Sequence, residues 1–405
     1  MFGEKEMDTQ RIYLDNASTT NLSAEVLNSM MPVLTGEYGN DLSMHSFGRS
    51  VEELVSQSRS TIAESINAKA NEIYFTSSGS EANSWAIIGI ANAYRGRGSH
   101  IITSKIEHPS VLRACEYLEN NGFEVTYLDV DSHGFVNFAE FMRAFKPSTI
   151  LVSIMGANNE IGTIQNLKAI AQTAHEKGAI FHTDAVQLYG NMDIDVEDLG
   201  IDAMTISAHK IYGPKGVGSL YVSNKIKIDP IIFGGNQERG KRGGTTNTAG
   251  VVGFAKACEI AMRDMKTNNY KLRALSEYFV SHLKQHIENI VINADTRQKL
   301  PHIISVTFIG CDGESLLTKL DINGIAVSTG SACLSGTLTI SHVIRALGVL
   351  NDNARATVRF SIGKNNSYEE LDKAVAIIQK SVEELREYSS TYGMKIRKRK
   401  GDRNV

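Results

Sequence analysis

Cysteine is scarce in this chain: four in 405 residues, Cys115, Cys258, Cys311 and Cys333, widely spaced and with no CxxC pair. That argues against a structural zinc site and against a disulfide framework, so no metal site is expected. Charge of one sign is lacking as well. Forty-two Lys and Arg stand against 45 Asp and Glu, and a net charge of −3 supplies no field for general attraction to nucleic acid or membrane. No apolar run approaches the roughly 20 residues that span a bilayer, and the opening Met1-Phe2-Gly3-Glu4-Lys5-Glu6 has no apolar signal segment. The expectation is a cytoplasmic protein without a membrane or direct nucleic-acid partner. Internal repeats and low-complexity linkers are also missing.

What is present is a chain long enough, and at 42% hydrophobic apolar enough, for a large core and two domains. From about residue 70 to 225 short β-rich runs alternate with helical patterns. Seven strands are expected, at Ile73–Thr76, His100–Thr103, Glu124–Leu128, Ile150–Ile154, Ala179–His182, Ala203–Ser207 and Gly218–Val222. Helical patterns such as Pro109–Asn120 and Leu167–Lys177 lie between them, the first with proline at an early position where its missing N–H costs little. Such alternation implies an α/β fold with a mostly parallel sheet and ligands at the carboxyl ends of its strands. Beyond about residue 265 two helical stretches, near 250–265 and 270–288, lead to shorter strands around Ile303–Phe308, Ile325–Ser328 and Thr357–Ser361, then a charged helix near Ser367–Tyr388. The expected division is a large domain over 21–265 and a smaller α+β domain over 266–390 that residues 1–20 join, with a basic tail over 391–405.

Lys210 follows the apolar run Ile201–Ile206 and precedes Ile211-Tyr212-Gly213-Pro214-Lys215-Gly216, which places an ammonium group at a strand end beside a tight turn. Twenty-six residues earlier, Gly178-Ala179-Ile180-Phe181 runs into His182-Thr183-Asp184, an acid at a second strand end. A lysine and a carboxylate so placed suit pyridoxal phosphate (PLP): the amine forms a Schiff base and the acid keeps the pyridine nitrogen protonated. Singly, either residue reads as a surface charge or a cap. Their company is what counts. Phe75-Thr76-Ser77-Ser78-Gly79-Ser80-Glu81-Ala82-Asn83 passes from a strand into a helix, and small hydroxyl residues at a helix N-terminus suit a phosphate. Ser207 and His209 can donate to the same group. Ile106-Glu107-His108-Pro109 brings an imidazole to another strand end, and Met155-Gly156-Ala157-Asn158-Asn159-Glu160 brings amide donors. Cys115 and Cys258 lie in amphipathic helical contexts and read as packing, and Cys311 sits at a strand-to-helix turn. Cys333 differs, because Ser328-Thr329-Gly330-Ser331-Ala332-Cys333-Leu334-Ser335-Gly336 is loop material.

These stretches, together with Tyr13-Leu14-Asp15-Asn16-Ala17-Ser18-Thr19-Thr20, Ile161-Gly162-Thr163-Ile164-Gln165, Arg242-Gly243-Gly244-Thr245 and Arg359-Phe360-Ser361, closely resemble the cysteine desulfurase group of the class V, fold-type I PLP enzymes. They occur in family order across nearly the whole chain, and the Ser-Ala-Cys loop resembles the branch serving iron–sulfur assembly and tRNA thiolation. The resemblance implies conversion of L-cysteine to L-alanine with a persulfide on the enzyme. It implies that Lys210 holds PLP, Asp184 pairs with the pyridinium, His108 stacks on the ring, and Asn159 and Gln187 address its O3′ side. Gly79, Ser80, Ser207, Ala208 and His209 then line the phosphate site. Thr245 reaches the phosphate of a neighbouring subunit, which makes a homodimer. Arg359 grips the substrate carboxylate, with Asn159 nearby, and Cys333 takes the sulfur, with Lys210 and His108 as proton carriers. The further partner implied is a sulfur acceptor, an iron–sulfur scaffold or a tRNA-thiolation enzyme, and Cys333 meets iron–sulfur only on transfer.

Some positions depart from the family pattern. Ser78-Gly79-Ser80-Glu81-Ala82-Asn83 stands for Gly-Ala-Thr-Glu-Ser-Asn, Asn40-Asp41-Leu42-Ser43 for Asn-Pro-Ser-Ser, and Thr339-Ile340-Ser341-His342 for Glu-Pro-Ser-His. Lys395-Ile396-Arg397-Lys398-Arg399-Lys400 replaces the tail through which relatives dock a scaffold, and such a charge run is ordinarily a solvated tail. Another class V enzyme, an aminotransferase or a selenocysteine lyase, would share the PLP residues without needing Cys333. A non-catalytic sulfur-transfer scaffold would need none of the three residues Lys210, Asp184 and Cys333.

Overall fold

The computed structural model describes residues 11–329, 340–349 and 351–388, apart from the side chains of Asn351 and Asp352. Its strands are β1 (Ile12–Tyr13), β2 (Ile73–Thr76), β3 (His100–Ser104), β4 (Glu124–Leu128), β5 (Thr149–Ser153), β6 (Ile180–Asp184), β7 (Ala203–Ser207), β8 (Gly218–Val222), β9 (Ile290–Ile292), β10 (Ile303–Phe308), β11 (Ile325–Ala326) and β12 (Thr357–Ser361). The helices are α1 (Ala24–Thr35), α2 (Ser46–Glu64), α3 (Gly79–Tyr94), α4 (Pro109–Glu119), α5 (Phe138–Ala144), α6 (Leu167–Glu176), α7 (Thr248–His286), α8 (Gly313–Ile322), α9 (His342–Ala346), α10 (Asn351–Ala354) and α11 (Tyr368–Glu387).

The seven strands expected between residues 70 and 225 form one sheet in the order β2-β8-β7-β6-β5-β3-β4. Only β8 opposes the rest, pairing antiparallel with β2 and β7. Every residue of β3, β5, β6, β7 and β8 is buried, so these strands are covered on both faces, and polar residues in them such as His100, His182 and Thr205 are hydrogen-bonded within the sheet. The common direction brings the carboxyl ends of β2, β3, β5, β6 and β7 to one edge, where an α/β sheet offers a crevice. Ser78 caps α3, its hydroxyl accepting from the Glu81 amide, and His108 caps α4 ahead of Pro109. Cys115 and Cys258 are buried packing residues, and burial pushes both thiols up, Cys258 to about 12. Neither is a nucleophile.

A second hydrophobic centre gathers Leu14, Ile304, Val306, Phe308 and Phe360 with α11 and the later turns of α7. Here β12-β10-β9 is antiparallel, and β1 pairs in parallel with β11 through Ile12 and Ile325. One expectation is corrected. The two helical stretches near 250–265 and 270–288 are a single 39-residue helix, α7. The polar run Lys266-Thr267-Asn268-Asn269 suggested a break, but it contains neither glycine nor proline, and Asn269 donates to the Asn191 carbonyl at 2.7 Å. The run marks the stretch where the helix leaves one core, holding Val251, Phe254 and Cys258, and enters the other, holding Leu272, Leu275 and Phe279.

Candidate active site

Asp184 ends β6, 5% exposed. Both its oxygens accept from N–H groups, the Asn83 amide at 2.6 Å and the Val186 backbone at 2.9 Å, as a carboxylate does. Lys210 closes a short helical turn directly after β7. Its Nζ donates to the carbonyls of Ala17, at 2.6 Å, and Ser18, at 2.5 Å. Gln187 Nε2 donates to the same Ala17 carbonyl at 2.8 Å. Lysine, glutamine and the Ala17–Ser18 turn therefore share one corner of the crevice. Tyr212, two residues past the lysine, holds φ at +63°, a left-handed value costly for an aromatic residue. Its amide donates to Thr20 Oγ1, so the 17–20 segment and the lysine turn brace each other.

His108 is bound at Nδ1, which accepts the Ser110 amide at 3.2 Å and pairs with the Ser110 hydroxyl at 2.7 Å. Nε2 is the nitrogen left to the crevice. Burial lowers the affinity of this ring for a proton; the nearby Asp184 opposes that, and the Lys210 and His342 charges reinforce it. Asn83 Nδ2 donates to both Asp184 and Ser110, so a continuous polar line runs from Asp184 to His108. Sequence reasoning gave neither Asn83 nor Ser110 a role. The available signal was an asparagine among Ala82, Trp85, Ala86 and Ile87 on an otherwise apolar, buried helix.

The two adjacent asparagines divide their work. Asn158 is structural, its Nδ2 donating to the Ile106 carbonyl at 2.8 Å and its Oδ1 accepting from Glu160 and Ile161. Asn159 is half-buried, and its carbonyl accepts Arg359 Nη1 at 2.9 Å. Arg359 arrives from β12 in the second hydrophobic centre, 6% exposed. Its Nη2 donates to Asp15 at 2.8 Å and to the Ser18 hydroxyl at 2.6 Å, while its buried Nε has no partner. Asp15 and Ser18, noted in the sequence only as part of a matching stretch, are thus the groups that orient this arginine.

At the other end of the crevice, Gly79 opens α3 packed so closely that a Cβ there would lie 3.0 Å from Val186 and 3.4 Å from Ser207. Ser207 is 3% exposed and its hydroxyl has no hydrogen-bond partner. A buried hydroxyl left unsatisfied beside free helix N–H groups suits an anion. Ser80, in the first turn of α3, is exposed, and Ala208 is buried under the lysine turn. His209 pairs with Thr19 at 3.1 Å, and burial holds its imidazole down at about 4. Thr245 lines a cavity of about 160 Å³ with Thr76, Ser77 and Arg242, immediately before the Ser78–Ser80 loop. With an acid at the end of β6, and an unsatisfied hydroxyl and an amine at the end of β7, the residues present fit PLP. Cys333 lies outside the described residues, as does the basic tail. On either side of the segment that carries Cys333 the described chain is tied to this crevice: Ser328 pairs with Arg359 in both directions, at 2.7 and 3.2 Å, and Ser341 with Glu160.

A profile described as "Aminotransferase class-V" matches residues 12–374. The chain belongs to the class V aminotransferase family. That family is PLP-dependent. A protein of Clostridium botulinum named cysteine desulfurase IscS is 46% identical over 382 residues, 94% of this chain and 96% of its own length. Another of that name from Dictyoglomus turgidum is 44% identical over 380 residues, again 94% and 96%. Among solved structures, a NifS-like protein superposes with a TM-score of 0.88 at 36% identity, covering 93% of this chain and all of its own. No helix among the described residues is long and apolar enough to cross a membrane.

Proposed function

We propose that this protein is a homodimeric, PLP-dependent cysteine desulfurase that converts L-cysteine to L-alanine and carries the released sulfur as a persulfide on Cys333. The observation that carries the reading is the meeting of Lys210, Asp184, Gln187 and His108 at one sheet edge with Arg359 from a separate core. The near full-length likeness to proteins named cysteine desulfurase supports it.

When bound, PLP supplies an electron sink that eases removal of the substrate α-proton. The protein's own groups do the rest. Asp184 would hold the proton of the ring nitrogen, Ser207 and the Gly79–Ser80 N–H groups would hold the phosphate, and Gln187 and Asn159 would serve the ring hydroxyl. Arg359 orients the substrate carboxylate through a planar fork already fixed by Asp15 and Ser18. Lys210 Nζ carries the α-proton, and His108, neutral and bound at Nδ1, exchanges its proton at Nε2. The Cys333 thiolate then attacks the substrate sulfur. An S–S bond forms, the C–S bond breaks, and the electron pair left on carbon takes a proton to yield alanine. Cysteine and enzyme thiol become alanine and enzyme persulfide with no added oxidant or reductant.

An exposed apolar surface supports the homodimer. Tyr38, Leu42, Met44 and Phe47 are exposed on the segment that holds Asp41, which accepts a hydrogen bond from Thr246 at 2.7 Å, next to Thr245, and exposed Phe233 abuts Gly243. The sulfur acceptor is an iron–sulfur scaffold or a tRNA-thiolation protein. Cys333→Ser tests the reading. The variant should still change its visible absorption on adding L-cysteine, yet form no protein-bound sulfane sulfur by mass spectrometry and no alanine above background. Alanine formation at the parent rate would overturn it in favour of an aminotransferase.

A further inference from the structure

Two buried carboxyl groups take no part in the steps above. Glu160, 5% exposed, follows Asn159, and Glu107, fully buried, precedes His108. Both residues meet the chain where it returns from the segment bearing Cys333, Glu160 through its carboxyl and Glu107 through its backbone carbonyl. Glu160 Oε2 accepts the Ser341 hydroxyl at 2.6 Å. That hydroxyl in turn accepts the Val343 and Ile344 amides at 3.1 and 3.3 Å, capping α9. His342 Nε2 bonds the Glu107 carbonyl at 2.9 Å. On the upstream side Ser328 exchanges backbone hydrogen bonds with Arg359. The chain therefore leaves the site from the residue that orients substrate. It returns through contacts one position from Asn159 and one position from His108.

We propose that the Glu160–Ser341 pair, with His342 on the Glu107 carbonyl, is a clasp that positions the return of the Cys333-bearing chain for sulfur transfer. Glu160 and Ser341 are positioning residues, since neither touches a reacting atom. Glu160 is held by Asn158, whose Oδ1 receives the Glu160 and Ile161 amides, and Asn158 is itself fastened to the Ile106 carbonyl. The clasp is thus fixed on the side of the large sheet, and Ser341 is the buried member that the returning chain contributes. A buried hydroxyl deprived of its acceptor, or a buried carboxyl deprived of its donor, loses both the bond and the register that it sets. This inference rests on the reading that Cys333 accepts the sulfur.

The test compares Glu160→Ala, Ser341→Ala, the double variant and the conservative Glu160→Gln in full-length, PLP-loaded protein. Single-turnover mixing with L-cysteine reads two events: the early change in visible absorption and the later persulfide on Cys333 by quenched mass spectrometry. Amide hydrogen exchange at Val343 and Ile344 reads the clasp itself, independent of turnover. Each alanine variant should keep the early change within about twofold, slow persulfide formation by about tenfold, and exchange faster at Val343 and Ile344. The double variant should be no slower than either single one. Glu160→Gln keeps an oxygen acceptor and should restore the rate. Equal slowing of both events would mean a general loss of structure, and unchanged persulfide formation would mean the clasp positions nothing; either overturns the proposal. Failure of Cys333→Ser to abolish persulfide would instead sink the underlying reading, so the two failures are distinguishable.

Discussion

Asp184→Asn is the perturbation that separates charge from shape at the centre of the site. Both carboxylate oxygens now accept N–H donors, Asn83 Nδ2 at 2.6 Å and Val186 N at 2.9 Å. Whichever way an amide is turned at position 184, its NH2 faces one of those donors, so one hydrogen bond is lost, about 1 kcal/mol. The cofactor is affected as well. A pyridinium N–H bonded to a carboxylate is charge-assisted, and such bonds contribute about 1.5–3 kcal/mol against roughly half that for a neutral acceptor. The difference is about 0.75–1.5 kcal/mol, so at 1.4 kcal/mol per decade PLP affinity should weaken about three- to tenfold. The folded apoprotein should change by a few degrees in Tm at most. Fluorescence titration of PLP into stripped parent and variant protein measures the first quantity, and thermal unfolding of the same samples the second. A variant that bound PLP within twofold of the parent and formed alanine at the parent rate would refute the assignment of Asp184 as the holder of the ring-nitrogen proton.

Borohydride reduction of the loaded protein should leave PLP covalently attached to the peptide containing Lys210, and Lys210→Ala should abolish that attachment; attachment at any other lysine, read by peptide mass spectrometry, would displace Lys210 from its role. Glu107 supplies a pH signature. Burial pushes its carboxyl up to about 8, opposed by bonds from the Ser104 hydroxyl and the Met155 amide, and its second oxygen has no partner. Its folded value lies above the usual one near 4.5, so its stabilising contribution is full below pH 4.5 and is lost as pH rises to about 8. Glu107→Gln should therefore gain on the parent in unfolding free energy as pH rises from 5 to 9, by on the order of a few kcal/mol at the alkaline end, read from denaturant unfolding. A parent–variant difference that stays flat over that range would show that the carboxyl is not held protonated.

Much of this was legible along the chain because the relevant signals are local. Short β-rich runs set off by turns and helical patterns are a local signal, so all seven strands of the large sheet could be located from composition and punctuation, their ends shifting by a residue or two. The common direction of those strands then dictates that Asp184, Lys210, His108 and Asn159, each just past a strand, share an edge. The long helix α7 was not legible. Its polar stretch reads as a break until two cores are seen to meet its two halves.

What sequence by itself determined was the set of candidate groups: a lysine and an acid at strand ends, a hydroxyl-rich helix start, and a cysteine in glycine-and-serine-rich loop sequence. Their chemistry is a property of the side chains. The tertiary structure decided which groups orient them. Asn83, 101 residues before Asp184, sits against it because α3 packs beside β6. Asp15 reaches Arg359, 344 residues away, because β1 joins the second core. Ser341 meets Glu160 across 181 residues. No spacing or periodicity encodes such pairs: hydrogen bonds between distant residues form only where packing of the apolar faces has already brought the backbones together.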